Sequence, residues 1–305
     1  MIYKKHLKKD LKEIDGIDQL ELTDQIARKV SKFYTSNPFP NYKENDDKIS
    51  ISQRGNNNFL ASQFKRYVGY DKKILEVGCG TGQLSVYFSI GNNNLIVAMD
   101  ATLKSLKIAE KFSKKNNIQN INFLNADIFD DVLQDEYFDF VWCNGVLHHT
   151  KNPYEAFKIV SKSLKKKGYI LIGLYNKYGR IRTLLRRFFY KIFGIKIIKI
   201  LDPTLRKLKR STEEQNAWIQ DQYQHPQESL HTIDEVMSWF RENNIDFISS
   251  IPNCDFNDDN KYSDIFIEKK IGNYTQRLLN QIFMIFGQLG SDGGLFVVVG
   301  KKKDD

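Results

Sequence analysis

Three glycines at alternating positions, Gly78, Gly80 and Gly82, follow an apolar run in the segment ILEVGCGTGQLS, residues 74–85. Glycines so spaced let a backbone turn tightly and lie close against a ligand. A dinucleotide fingerprint would need glycine where Gln83 stands, and a phosphate-binding P-loop would need the absent G-K-[ST]. Glu76, just before the first glycine, would repel a pyrophosphate and suits a ligand whose nearest group is cationic.

Two further carboxylates stand where the same ligand would want them. Asp100 lies about twenty residues beyond the loop, the usual place for an acid that accepts ribose hydroxyls. Asp127, followed by Ile128, offers a polar acceptor and an apolar wall to a purine. The segment CNGVLHHT, residues 143–150, adds Asn144, Gly145 and the pair His148 and His149. Either histidine could act as a general base, its ordinary pKa lying near neutrality; the competing reading has one capping a turn and the other packed. Tyr223 and His225, in the expected loop DQYQHP, are candidates of the same kind and equally suited to packing. No set among His148, His149, His225, His231, Cys143 and Cys254 has metal-ligand spacing, so no metal is expected.

The elements that must position these residues follow from the hydrophobic pattern. Short apolar runs at 74–78, 95–100, 121–127, 138–144 and 169–175 alternate with amphipathic stretches at 84–89, 103–115 and 154–164. Strands alternating with helices predict βαβ units and a parallel sheet, with ligands at the carboxyl ends of its strands. Residues 231–244, 245–251 and 295–300 predict a helix and two more strands, the last after the turn-rich SDGG. Thr232 and Glu235 are spaced for a capping box. Residues 1–67 read as helical, with Thr23 as a start signal for a helix carrying Ile26, Val30, Phe33 and Tyr34. The prolines of FYTSNPFPNY end that helix, and its aromatics Tyr34, Phe39 and Tyr42 could close over a ligand. A second helix is expected over 58–68 and another over 274–286.

With its glycine loop, Asp100, Asp127 and GVLHHT in order, residues 72–175 resemble the core of class I S-adenosylmethionine-dependent methyltransferases, in particular the type 11-like small-molecule branch. The resemblance implies a doubly wound, Rossmann-like α/β fold with a seven-stranded sheet whose last strand is antiparallel. It also implies S-adenosyl-L-methionine as cofactor and S-adenosyl-L-homocysteine as product. Glu76, Gly78, Cys79, Gly80, Thr81 and Gly82 would contact its amino acid part, Asp100 with Ala101 the ribose, Asp127 with Ile128 the adenine, and Asn144 with Gly145 the methionine arm. The domain reading is an N-terminal helical and aromatic lid segment over 1–67, the cofactor core over 68–175, a helical cap insert over 176–230, and the rest of the core over 231–305. An insert at 252–292 departs from the short hairpin usual there.

Composition narrows the partners. The chain has 305 residues, 41% hydrophobic and 27% charged, which suits a globular protein with a full core. Cys79, Cys143 and Cys254 are an odd, scattered set, which excludes a disulfide scaffold and suits a reducing cytoplasm. No run is apolar and long enough to span a bilayer, and the N-terminus does not read as a secretory signal. The net charge of +9 is concentrated: residues 176–210 hold twelve basic residues against Asp202, leaving 34 basic and 36 acidic residues elsewhere. Within that segment Ile181, Leu184, Leu185, Phe188, Phe189, Ile192 and Phe193 form an apolar stripe at helical spacing. The expected arrangement packs the stripe on the domain and leaves the charges in water. The alternatives are a membrane-surface helix, meeting anionic lipid or a lipid-linked acceptor, and a phosphate-contacting RNA surface. Three functions follow in that order: a methyltransferase of small or medium-sized acceptors, an RNA methyltransferase, and a membrane-associated module that binds S-adenosylmethionine without catalysis. Oligomeric state is not readable from these features.

Overall fold

The computed structural model describes residues 5–36, 38–207, 212–256, 264–287 and 294–304. Asn37, Lys209, Arg210 and residues 291–293 of the SDGG turn thus lie outside the described residues. The elements in chain order begin with β1 (Lys12–Ile14), β2 (Ile17–Gln19), α1 (Gln25–Ser36), α2 (Lys48–Asn56) and α3 (Phe59–Val68). The alternating part follows: β3 (Lys73–Val77), α4 (Gln83–Ser89), β4 (Leu95–Asp100), α5 (Leu103–Lys115), β5 (Ile121–Asn125), β6 (Phe138–Asn144), α6 (Pro153–Lys162) and β7 (Leu164–Tyr175). Then come α7 (Ile181–Phe193), α8 (Ile195–Leu201), α9 (Pro203–Lys207) and α10 (Thr212–Gln224). The chain closes with α11 (Ile233–Glu242), β8 (Ile245–Ile251), α12 (Tyr274–Phe283) and β9 (Leu295–Lys302).

Among the described residues the strands form one nine-stranded sheet in the order β1-β2-β5-β4-β3-β6-β7-β9-β8. Strands β3 to β7 run parallel, while β9 is antiparallel to both β7 and β8. The doubly wound fold and the antiparallel last strand therefore hold, and the seven-strand expectation is corrected to nine. The two extra strands lie in the stretch read as helical. Asp15 and Gly16 both take positive φ, 56° and 84°, the conformation of a two-residue Asp-Gly turn that matches the twist of a hairpin. β1 thus pairs antiparallel with β2, and β2 extends the sheet edge in parallel with β5.

Helices cover both faces. Phe64, Phe88, Leu106 and Ala109 bury one face of the sheet; Phe157, Val160, Trp239 and Phe240 bury the other. Two caps differ in detail from the sequence reading. Asp24, not Thr23, starts α1, accepting from the amides of Ile26 at 2.9 Å and Ala27 at 3.0 Å. Thr232 accepts from the Glu235 amide at 3.2 Å, but the Glu235 carboxylate turns to His231 Nδ1 at 2.9 Å instead of completing a capping box.

The larger correction concerns α7. Its apolar stripe faces water: Leu185, Phe188 and Ile192 are each more than half exposed. The opposite face, with Thr183, Arg187 and Tyr190, turns inward toward α10. The reason is a polar joint. The Glu228 carboxylate receives paired bonds from Arg180 (Nε 3.1 Å, Nη2 2.8 Å) and from Arg187 (Nη1 3.0 Å, Nη2 2.6 Å). Arg180 is fully buried and also stacks on the Tyr175 ring at 3.6 Å. Desolvating two guanidinium groups demands such pairing, and meeting it fixes the rotation of α7. Beneath it, Ile198, Leu205, Trp218, Ile219 and Tyr223 form a small core of their own.

Burial alone would raise the Glu228 carboxyl, but the two guanidinium groups hold it below the usual carboxylate range. Its contribution to stability is therefore full above the unfolded carboxyl range and is lost as pH falls through the depressed value. Glu228→Ala, which strands a buried cation, should cost about 3–5 kcal/mol in denaturant unfolding, whereas a surface control such as the exposed Glu44→Ala should cost under about 0.5 kcal/mol.

Candidate functional site

Strand β3 ends at Val77 and the chain turns through Gly78, Gly80 and Gly82, with φ of 69°, 53° and 75°, into α4. The turn is shaped partly from outside. The Phe39 carbonyl lies so close to Gly80 that a Cβ there would run into it. The neighbouring carbonyls of Pro40 and Asn41 accept from the Thr81 hydroxyl and, at 2.9 Å, from the Gln83 amide. Asp100, at the end of β4, holds the loop from within: its two oxygens accept from the Gly80 amide at 2.8 Å and the Thr102 amide at 2.7 Å.

Electrostatically the site is poised for positive charge and for hydrogen-bond donors. Glu76 is buried and accepts from the Ser85 hydroxyl. Burial, reinforced by the charge of Asp100, pushes its carboxyl up to about 8. Burial likewise raises the Asp100 and Asp127 carboxyls. Asp127 accepts from the Phe129 amide at 3.2 Å through Oδ1, while its Oδ2 is buried with no partner among the described residues. Asn144 Oδ1, at the end of β6, is buried and unpartnered in the same way. Buried acceptors without donors are costly, so both mark places where a ligand's donors belong.

A cavity of about 500 Å³ joins these groups. Ala101, Asp127 and Ile128 line one end; Glu76, Gly78, Cys79, Gly80 and Asp100 line the middle, beside Asn144 and Gly145. The far end is lined by His149, Tyr175, Trp218 and Gln222. The crevice lies at the carboxyl ends of β3, β4, β5 and β6, on both sides of the point where strand order reverses between β3 and β6. Of the sequence candidates, Thr81 and Gly82 do not line it. Their part is the loop itself, Gly82 packing on Ala109 with no room for a Cβ.

The four candidate bases separate. His149 lines the cavity; its Nδ1 lies 2.6 Å from the Gln227 carbonyl, and burial pushes its pKa down to about 4. His148 sits behind it, fully buried against Tyr175 with ring centroids 4.1 Å apart, and burial holds it neutral. His225 stacks on His149 at 3.6 Å and does not line the cavity. Tyr223 is corrected outright: it lies in helix α10, not in a loop, and its hydroxyl donates to Asp202 at 2.8 Å inside the cap core. Of the aromatics expected as a lid, Tyr34 and Phe39 line the cavity, whereas Tyr42 stacks on Phe112 at 4.1 Å.

Sequence reasoning missed Arg54, Gln83, Tyr175, Trp218 and Gln222. Gln83, noted only as breaking a dinucleotide fingerprint, ties the loop to the Pro40–Asn41 segment and accepts from Arg54 at 2.9 Å. Tyr175 ends a strand and was legible as such; Trp218 and Gln222 carry no local signal. Among the described residues no group of three or more His, Cys, Asp or Glu is placed to hold a metal ion.

Comparison with known proteins bears on this arrangement. A family described as "Methyltransferase domain" matches residues 70–244, more than half of the chain. A ubiquinone biosynthesis O-methyltransferase of Rickettsia bellii is 29% identical over 122 residues, 39% of this chain and 50% of that one. Its counterpart in Dictyostelium discoideum, a mitochondrial one, is 33% identical over 113 residues, 34% of this chain and 35% of that one. The chain spans about half the length, or less, of these curated relatives. Among solved structures, PKMT2 of Rickettsia typhi in complex with AdoHcy superposes with a TM-score of 0.57 at 14% identity, over 80% of this chain and 53% of that one. At that identity the likeness is one of fold.

Gly80 offers a direct check of the loop. Gly80→Ala adds a Cβ at positive φ against a fixed carbonyl, and should destabilise by about 1–3 kcal/mol in thermal unfolding. Gly91→Ala, also at positive φ but in open space, should cost less.

Proposed function

Because the chain belongs to the methyltransferase-domain family, we propose that it transfers a methyl group from S-adenosylmethionine to a small or medium-sized acceptor through an oxygen or nitrogen nucleophile. The observation that carries this reading is the continuity of one cavity from the three carboxylates to a separate end walled by the cap. We assign the cap to residues 176–230 and the cofactor core to 68–175 and 231–305.

The residues present fit the cofactor. Asp127 Oδ2 and Asn144 Oδ1 are buried acceptors that want donors, and Glu76 is a buried carboxyl group that a cation beside it would ionise. When bound, S-adenosylmethionine supplies an electrophilic methyl on a sulfonium. Asp100 with Ala101 would hold the ribose, Asp127 and Ile128 the adenine, and Gly78, Cys79 and Gly80 the amino acid part beside Glu76. Thr81 and Gly82 keep the loop in shape. Asn144 and Gly145 would flank the methionine arm.

The acceptor end does its work by positioning. Tyr175, Trp218 and Gln222 wall it, and Tyr34 and Phe39 cover the cavity from the N-terminal side. Holding reactants in line can be worth about 7–11 kcal/mol, so strong acid–base chemistry is not required. His149 stays neutral at physiological pH. With Nδ1–H donating to the Gln227 carbonyl, Nε2 is left as an acceptor for a hydroxyl or amine. The curated relatives over the core, named for O-methylation in ubiquinone biosynthesis, support the small-molecule class. Three buried cysteines outside any disulfide are compatible with a cytoplasmic setting.

Calorimetry with S-adenosylhomocysteine tests the reading: saturable binding at one site is expected, and its absence from folded protein would overturn it. The pH dependence carries a second expectation. Glu76 holds its proton up to about pH 8 in the free protein, and a cationic ligand group needs the carboxylate. Affinity should therefore climb as pH rises from the unshifted carboxylate range toward 8 and then level off. Glu76→Gln should bind more weakly and lose the climb.

A further inference from the structure

The outward face of α7 and α8 has no counterpart in the function above. At about 100° per residue, Leu185, Phe188 and Ile192 occupy the side of α7 opposite its inward residues, and all three are more than half exposed. Phe193 and, on α8, Ile200 are 61% and 64% exposed. Phe286 is 78% exposed and follows Ile285, whose carbonyl accepts from Arg182 at 3.3 Å, so apolar surface continues beside α7. Large apolar side chains this exposed, several on one helix and its neighbours, mark an interaction surface.

Within residues 181–207 the charges beside the stripe are almost all of one sign. Arg182 and Arg186 flank the stripe on one side and Lys191 on the other, while Lys196, Lys199 and Arg206 are exposed beyond it. The only acid in residues 181–207 is Asp202, which is buried and engaged by the Trp218 indole and the Tyr223 hydroxyl, both at 2.8 Å. A second copy of the same face would bring like charges together. A phosphate polymer would be met by the cations but gains nothing from exposed leucine, isoleucine and phenylalanine. An anionic bilayer satisfies both features: acyl chains take the stripe and headgroups take the flanking cations. Among the described residues no helix is long and apolar enough to cross a membrane.

We propose that the exposed face of α7 and α8 docks this protein on an anionic lipid bilayer. The inner side of α7 reaches α10 through the Arg187 bond to the Gln222 carbonyl at 2.7 Å, and Gln222 walls the acceptor end of the cavity. Docking thus sets that end one helix from the lipid, the position that serves an acceptor drawn from the bilayer, a consequence resting on the methyltransferase reading.

Flotation of the full chain with vesicles of phosphatidylcholine and phosphatidylglycerol in roughly 2:1 ratio tests the docking by itself. Wild-type protein should float, and should do so less at high salt. The triple variant Leu185→Glu, Phe188→Glu, Ile192→Glu should lose about tenfold or more in partitioning, as should Lys191→Glu, Lys196→Glu, Lys199→Glu. All these positions are exposed, so both variants should keep the wild-type Tm and S-adenosylhomocysteine affinity. Failure of docking is thereby distinguishable from failure of the cofactor reading. No flotation by wild type, equal flotation on pure phosphatidylcholine, or unchanged flotation of the apolar variant would overturn the proposal. So would salt-sensitive tRNA binding that the charge variant loses and the apolar variant keeps, or a dimer that the apolar variant dissociates.

Discussion

Two arginines sharing one carboxylate govern how the upper half of this molecule is built. Arg180, at the start of α7, is fully buried, and Arg187 approaches from within the helix; Glu228 binds both through paired hydrogen bonds. Buried guanidinium groups tolerate no alternative. Satisfying them rotates α7 so that Thr183, Arg187 and Tyr190 face in and its apolar stripe faces out. The same joint seats α10 against β7: Arg180 donates to the Gln222 side chain at 2.5 Å, Arg187 to its carbonyl, and Gln222 to the Tyr175 hydroxyl at 3.1 Å. Tyr175, Trp218 and Gln222 thereby close one end of the cavity, and a single ionic cluster connects the acceptor wall with the outer apolar face.

The other end is organised by the glycine loop, which depends on two sources of support that lie far apart in sequence. Asp100 receives the Gly80 amide from the sheet side. The Phe39–Pro40–Asn41 backbone presents carbonyls to Thr81 and Gln83 from the N-terminal side. The loop is thus clamped between a strand end and a strap, which places Phe39 and Tyr34 over the cavity. Glu76 and Asp127 are left with raised carboxyls. Such groups are expensive to bury unless a ligand compensates them, and that cost concentrates at the site.

Much of this was legible before any coordinates. The alternation of apolar runs with amphipathic stretches gave the strands of the core to within a few residues. Gly78, Gly80, Glu76, Asp100, Asp127 and Asn144 meet at one crevice because strand order in a doubly wound sheet brings the carboxyl ends of their strands together. The Asp-Gly pair at 15–16 was an overlooked signal: flanked by Ile14 and Ile17, it is a hairpin turn inside a stretch that otherwise reads as polar helix. Tyr223 failed as a candidate because helix α10 extends through it and Asp202 claims its hydroxyl. His148 failed because it lies a layer behind His149.

Local pattern determined which residues share a face and which backbone positions demand glycine, since periodicity and φ are properties of a few consecutive residues. It could not determine what each face meets. The stripe of α7 was correctly found and wrongly turned, because its orientation is set by Glu228, more than forty residues beyond the start of the helix. Which histidine reaches the cavity, and which parts of the cap wall it, were likewise decided by contacts between distant segments. Burying and pairing charge is a tertiary requirement, and here it outweighed the local preference of an apolar stripe for the core.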